Sequence, residues 1–185
     1  MSNAVRSTAG ALALSLTALA AFTPVGAGAQ DASCKQVFSA IKLLSSTPNH
    51  QYFTISGAQP DSLAQTNEMI NTGHARYVKM NGLWQTMPGS PREIMKQEEE
   101  NFKKSKTVCR LLREEMLDGT ATTVYVEQSQ TGPIGSIGTL WIAKSSGLPV
   151  HEEVNTDSGT GPAGMRHLDI RISYTDVKEP VIEKK

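Results

Sequence analysis

Apolar and polar positions alternate with a period of two over the C-terminal third of the chain, from Gly138 to Val177. Leu140 and Ile142 alternate with small or polar neighbours, and Ser145-Ser146-Gly147 makes a turn. The next run sets Leu148, Val150 and Val154 against His151, Glu153 and Asn155. After a Gly-rich stretch (157–164), Leu168, Ile170, Ile172 and Tyr174 alternate with His167, Asp169, Arg171 and Ser173. Such alternation predicts three antiparallel strands with one apolar and one wet face. A sheet of this kind must cover its apolar face with a helix, a second sheet or a ligand.

Upstream, the period changes twice. Ser33-Cys34-Lys35-Gln36 reads as a capping box, and Cys34, Val37, Ile41 and Leu44 follow at helical spacing before Pro48. This predicts a helix of about twelve residues with Cys34 on its buried side. Strands are expected over 51–56, 66–71, 75–80 and 83–87, with turns at Thr72-Gly73-His74 and Asn81-Gly82. Ser90-Pro91-Arg92-Glu93 then opens a second helix, whose apolar stripe is only Ile94, Met95 and Phe102. So thin a stripe predicts a mostly solvated helix that caps a sheet rather than fills a core. Runs at 106–117 and 120–128 flank Asp118-Gly119, a second hairpin signal. The count is about nine strands and two helices in one meandering sheet, without repeats.

The N-terminus carries an export signature. Arg6 is the only charge before Asp31, Ala11 to Phe22 is almost wholly apolar, and Ala27-Gly28-Ala29 fits a small-x-small cleavage site. That run falls short of the roughly 20 residues a membrane span needs. The organisation expected is a signal peptide over 1–29, one domain over 30–177 and a flexible tail over 178–185, giving a periplasmic or secreted product with no integral membrane segment. Losing Arg6 leaves one basic residue fewer than the 18 acidic ones, with no basic stripe for nucleic acid. Cys34 and Cys109 are the only cysteines. In an oxidising compartment two cysteines usually pair, and neither has the CxxC partner or adjacent His of a reactive thiol.

Catalytic chemistry is sparse. His151-Glu152-Glu153-Val154-Asn155 lacks the second His of a zinc-protease helix and alternates as a strand. His50, His74, His151 and His167 have no ligand spacing, so no metal is expected. Asp169 and Arg171 share a strand face, where an ion pair is the expected role. No Gly-x-Ser-x-Gly elbow or phosphate loop is present, and no nucleophile–base–orienter set assembles. The expectation is a protein that is not an enzyme and needs no cofactor.

The order of elements resembles the periplasmic lipoprotein-carrier superfamily, the LolA/LolB-like half-barrels. Thr139-Leu140-Trp141-Ile142-Ala143-Lys144-Ser145-Ser146-Gly147-Leu148-Pro149-Val150 is similar to that family's "W-I-D-x-x-T-G-L-P" hairpin, and Asp118-Gly119 before Val124-Tyr125 resembles its central "DG…Y" hairpin. The resemblance spans Cys34 to Val177. It implies an α+β fold: a long curved antiparallel sheet, a half-barrel, with two helices on its concave side or at its end. It also implies a cavity for an acyl chain or other hydrophobic small molecule, lined by Tyr77, Trp84, Leu140, Ile142, Leu168, Ile170, Ile172 and Tyr174. For any of these eight, the alternative is plain core packing. Trp141 has the opposite parity and is expected on the outer side or against a neighbouring element.

Two functions follow from that fold. In one, the half-barrel holds a lipid or similar ligand in a cavity between sheet and second helix. In the other, the interior is packed and the surface engages an envelope partner, as a scaffold or stress-sensing accessory would.

Overall fold

Two-residue turns set the register of the sheet. Asn81-Gly82 and Asp118-Gly119 both take positive φ at each position (52° and 80°, then 49° and 80°). This is the backbone of a type I′ hairpin, whose twist matches that of its strands. The computed structural model describes residues 32–57, 65–131, 134–157 and 165–182. The expected signal peptide, most of the Gly-rich loop and the last three residues of the tail lie outside them.

Nine strands form one sheet: β1 (Asn49–Gly57), β2 (Gln65–Asn71), β3 (Arg76–Met80), β4 (Leu83–Thr86), β5 (Lys106–Leu117), β6 (Thr120–Thr131), β7 (Ile134–Ala143), β8 (Pro149–Asp157) and β9 (Met165–Ser173). Their order is β4-β3-β2-β1-β9-β8-β7-β6-β5, every described pair being antiparallel. The sheet is open and curved, an α+β half-barrel, with β4 and β5 at its edges. Two meanders are welded by one long-range pairing, β1 with β9. Helices α1 (Ala32–Ser46) and α2 (Pro91–Lys104) complete the fold, α2 carrying the chain from one edge to the other.

Helix α1 lies on the inner face. Cys34, Val37 and Ala40 are buried and pack with Cys109, Tyr125, Leu140 and Ile142 of β5, β6 and β7. The Cys34–Cys109 disulfide fixes its N-terminal end to edge strand β5, and the Tyr125 hydroxyl donates to Gln36. Its C-terminal end is held from the other half of the sheet. Asn49 Nδ2 donates to the Leu44 and Thr47 carbonyls at 2.8 and 2.7 Å, and Asn71 Nδ2 to the Ser45 carbonyl at 2.9 Å. Both amides are buried and supply partners for carbonyls that a helix end leaves orphaned. The helix starts at Ala32 and runs 15 residues, so Ser33 sits inside it rather than at its cap.

The second helix begins as its sequence dictates. The Ser90 side chain accepts from the Glu93 amide, Glu93 Oε2 accepts from the Ser90 amide at 2.7 Å, and Pro91 takes the first turn. Pro91 is its one buried residue, while Phe102 stacks on Phe38 of α1 with ring centroids 5.0 Å apart. The tail is less free than its composition suggests, because Glu179 accepts a 2.5 Å hydrogen bond from Tyr77.

The disulfide closes 75 residues of sequence separation. Replacing both cysteines by Ala should therefore lower the unfolding free energy by about 4 kcal/mol, read from urea denaturation. A loss below about 1 kcal/mol would mean that packing and the two asparagines hold α1 without the bond.

Candidate functional site

Between the inner face and the two helices lies a cavity of about 470 Å3 that opens to solvent. It falls within the roughly 300–1,000 Å3 typical of small-molecule sites. Its apolar lining is Phe38, Ile41, Leu44, Phe53, Met69 and Phe102, contributed by α1, β1, β2 and α2. Polar groups are interspersed with these on the same surfaces: Glu127 and Ser129 of β6, Glu152 of β8, Arg76 of β3, and Glu98 and Asn101 of α2.

Sheet register explains how these groups meet. Inner-face residues pair with inner-face residues across each strand junction. Glu127 pairs with Gly138, and Glu152 with Leu140, so the two carboxyls flank β7 on its inner side. Gly138 places no side chain beside Glu127, and a Cβ there would touch Glu127 Cβ at 4.0 Å. Among the described residues, neither carboxyl has a hydrogen-bond or ion-pair partner. Burial raises the Glu127 pKa. Burial, then Glu127 and Glu98, push Glu152 up to about 7. Across the cavity, burial lowers the Arg76 pKa, with the Glu98 charge opposing it. Arg76 Nε is buried without a partner, and one terminal nitrogen donates to Met69 Sδ at 3.2 Å.

The eight residues expected to line a cavity divide three ways, and none borders this one. Leu140 and Ile142 do lie on the inner face, but under α1 in the packed cluster. Leu168, Ile170 and Ile172 share that face through their pairing with Ile55, Phe53 and Gln51, and Tyr174 donates to the Pro149 carbonyl at 2.5 Å. Tyr77 and Trp84 are on the outer face. Tyr77 pairs with Ile70 and Trp84 with Lys79, whereas Arg76, Val78 and Leu83 point inward. Short strands with apolar residues at both parities hide which side is in. The residues missed were strand carboxyls, yet a signal existed: Glu152 has the parity of Val154, and Glu127 that of Tyr125.

The outer face carries a second cluster. His151 is buried, not wet, stacked on Trp141 with centroids 4.4 Å apart. Its Nε2 is 3.0 Å from Asp169 Oδ2 and 3.8 Å from Glu153 Oε1. These donors are close enough to share a metal ion, but Arg171 Nε already lies 3.7 Å from Asp169 Oδ1. Trp141 faces outward as its parity requires and donates to Glu115 at 2.5 Å.

No family model matches the chain, and no curated protein matches it. Among solved structures it is similar to that of LprF from Mycobacterium bovis, at 11% identity and TM-score 0.44, covering 83% of this chain and 99% of that one. It is also similar to a DUF1329 family protein from Desulfovibrio piger, at 11% identity and TM-score 0.31, covering 81% and 96%. At these scores the half-barrel rests on its own strand order. No described helix is long and apolar enough to cross a membrane.

Glu152 makes stability depend on pH. An acid with a raised folded-state pKa binds its proton more tightly when folded, so stability falls as pH climbs from about 4.5 through about 7. Glu152→Gln should therefore match the parent near pH 4 and exceed it near pH 8 by on the order of 2 kcal/mol, from urea midpoints. Equal midpoints at both values would mean that the carboxyl is solvated after all.

Proposed function

We propose that the chain is an exported binding protein that holds an amphiphile in the cavity between its half-barrel and its helices. The carrying observation is a solvent-open cavity whose lining combines six large apolar side chains with three carboxyls and a guanidinium. A single alkyl or acyl chain would lie along Phe38, Ile41, Leu44, Phe53, Met69 and Phe102. Its head would reach the groups around Glu127, Glu152 and Arg76. Burial of the chain supplies the driving force at roughly 0.8 kcal/mol per methylene, and the polar groups fix orientation. Export is inferred from the leader-like N-terminus and from the use of both cysteines in one disulfide, a bond that persists in oxidising compartments.

Binding rather than catalysis is the role these groups support. Among the described residues, the Ser129 hydroxyl near Glu127 is hydrogen-bonded to Ser136 rather than to a base, and His151 of the outer cluster is on the other side of the sheet. The alternative role, a scaffold for an envelope partner, draws on edge strand β5, where Val108, Leu111, Leu112 and Met116 are exposed. That role calls for a packed interior, and the open cavity favours the ligand-binding role instead.

Native mass spectrometry of protein purified from an oxidising compartment should show a co-purifying amphiphile at one per chain, or one-to-one uptake of N-phenyl-1-naphthylamine. Ser45→Trp, which projects a ring into the cavity from α1, should weaken uptake at least about tenfold while leaving the fold intact by circular dichroism. A clean apo mass with no probe uptake would sink the binding role.

A further inference from the structure

Three carboxyls, Glu98, Glu127 and Glu152, line the cavity against one guanidinium, Arg76. Their positions are unequal. Arg76 and Glu98 face one another across the cavity and influence each other electrostatically. Glu127 and Glu152 sit on the sheet floor without an ion-pair partner among the described residues, the one cation of the lining being Arg76 of β3 across the cavity. The cavity they share is lined from α1 by Phe38, Ile41, Leu44 and Ser45, from α2 and its C-cap by Glu98, Asn101, Phe102 and Ser105, from β1 by Gln51 and Phe53, and from β2 and β3 by Met69, Asn71 and Arg76. They lie on a diagonal across β7, Glu127 beside the bare backbone of Gly138 and Glu152 beside Leu140. Two half-buried carboxyls without partners in a half-apolar cavity are costly unless a cation or strong hydrogen-bond donors complete them.

We propose that the Glu127–Glu152 pair is a head-group site for a primary ammonium, so that the ligand is a cationic or amine-bearing amphiphile. This rests on the cavity being a ligand site and names the chemistry that site selects. The ammonium offers three donors, enough to serve both carboxylates at once, and its compact charge fits the space that Gly138 leaves. The alkyl chain then runs along Phe38, Phe53 and Phe102 toward the opening. An anionic head at this pair would meet like charge, the guanidinium of Arg76 lying across the cavity with Glu98 opposite it.

The ammonium competes with protons for the pair. Glu152 titrates at about 7, so its carboxylate is mostly protonated at pH 6 and mostly charged at pH 8. An alkylammonium stays protonated throughout this range. Binding of the amine should therefore strengthen from pH 6 to pH 8, whereas an uncharged alcohol should not change in this way. Of the other charged groups facing the pair, Glu98 acts in the same sense, and Arg76, across the cavity, opposes.

The test uses the disulfide-bonded chain and displacement of N-phenyl-1-naphthylamine by decylamine, decanol and decanoate. At pH 8 decylamine should displace the probe at about one-tenth the decanol concentration or less, with decanoate weakest. The advantage should shrink at pH 6 and vanish in Glu127→Gln/Glu152→Gln, while Arg76→Met should leave it intact or enlarge it. The ligand comparison on the unmodified chain stands even if a variant does not fold. Equal displacement by decylamine and decanol, or preference for decanoate, would overturn the ammonium site while leaving the cavity a ligand site. Failure of the probe to bind at all would remove both.

Discussion

A single helix acts as the chord of a curved sheet, and much else follows from that constraint. Helix α1 is bonded to β5 at its start, through Cys34, and to β1 and β2 at its end, through Asn49 and Asn71. Fifteen residues make a rod of about 22 Å. Along the sheet, β5 and β2 are six strand spacings apart, about 29 Å at ~4.8 Å each. A rod shorter than the arc it joins requires the sheet to bend toward it. The same rod is only about 10 Å thick, so it covers a few strands and leaves the rest of the inner face unfilled. The cavity is what remains, bounded by α2 where the chain crosses from one sheet edge to the other.

What fills the remaining inner face decides between packed core and ligand site. Leu140 and Ile142 were taken by α1, and the space beside them is walled by Phe53, Met69 and the helical phenylalanines. An apolar sheet face would simply have collapsed onto more helix. Here Glu127 and Glu152 project from strand positions that otherwise carry Tyr125 and Val154, and the helix that would cover them brings Glu98. Such residues weaken the fold that contains them, a cost that the proposed ligand would offset.

Much of this architecture was legible in the chain. Strict alternation at Leu168, Ile170 and Ile172, the Asn81-Gly82 and Asp118-Gly119 turns, and the Ser90–Glu93 capping box each set a local structure that tertiary packing did not override. The half-barrel was expected from the resemblance in element order and hairpin motifs, and the Cys34–Cys109 bond from cysteine number in an exported chain. The site was far less legible. Tyr77 and Val78 are both apolar neighbours in one short strand, as are Leu83 and Trp84, so parity alone could not say which faced inward. A carboxylate on a strand reads as solvent-facing, so Glu127 and Glu152 were passed over until register placed them on either side of β7 on its inner face. His151 failed in the opposite direction, because the ring of Trp141 covers it and no local pattern announces a neighbour from another strand.

The junction of β1 with β9 has a bearing on how the molecule is made. His50 pairs with Ser173, more than a hundred residues downstream, so the middle of the sheet consists of the first and last strands of the chain. A chain emerging N-terminus first presents β1 with only β2 on one side and an unsatisfied hydrogen-bonding edge on the other until the final strand arrives. Contacts of such sequence separation form slowly, and open strand edges recruit other chains in the meantime. The molecule therefore depends on whatever shields nascent β-edges in its compartment, and any truncation before Ser173 removes the closing strand of the sheet rather than trimming a tail.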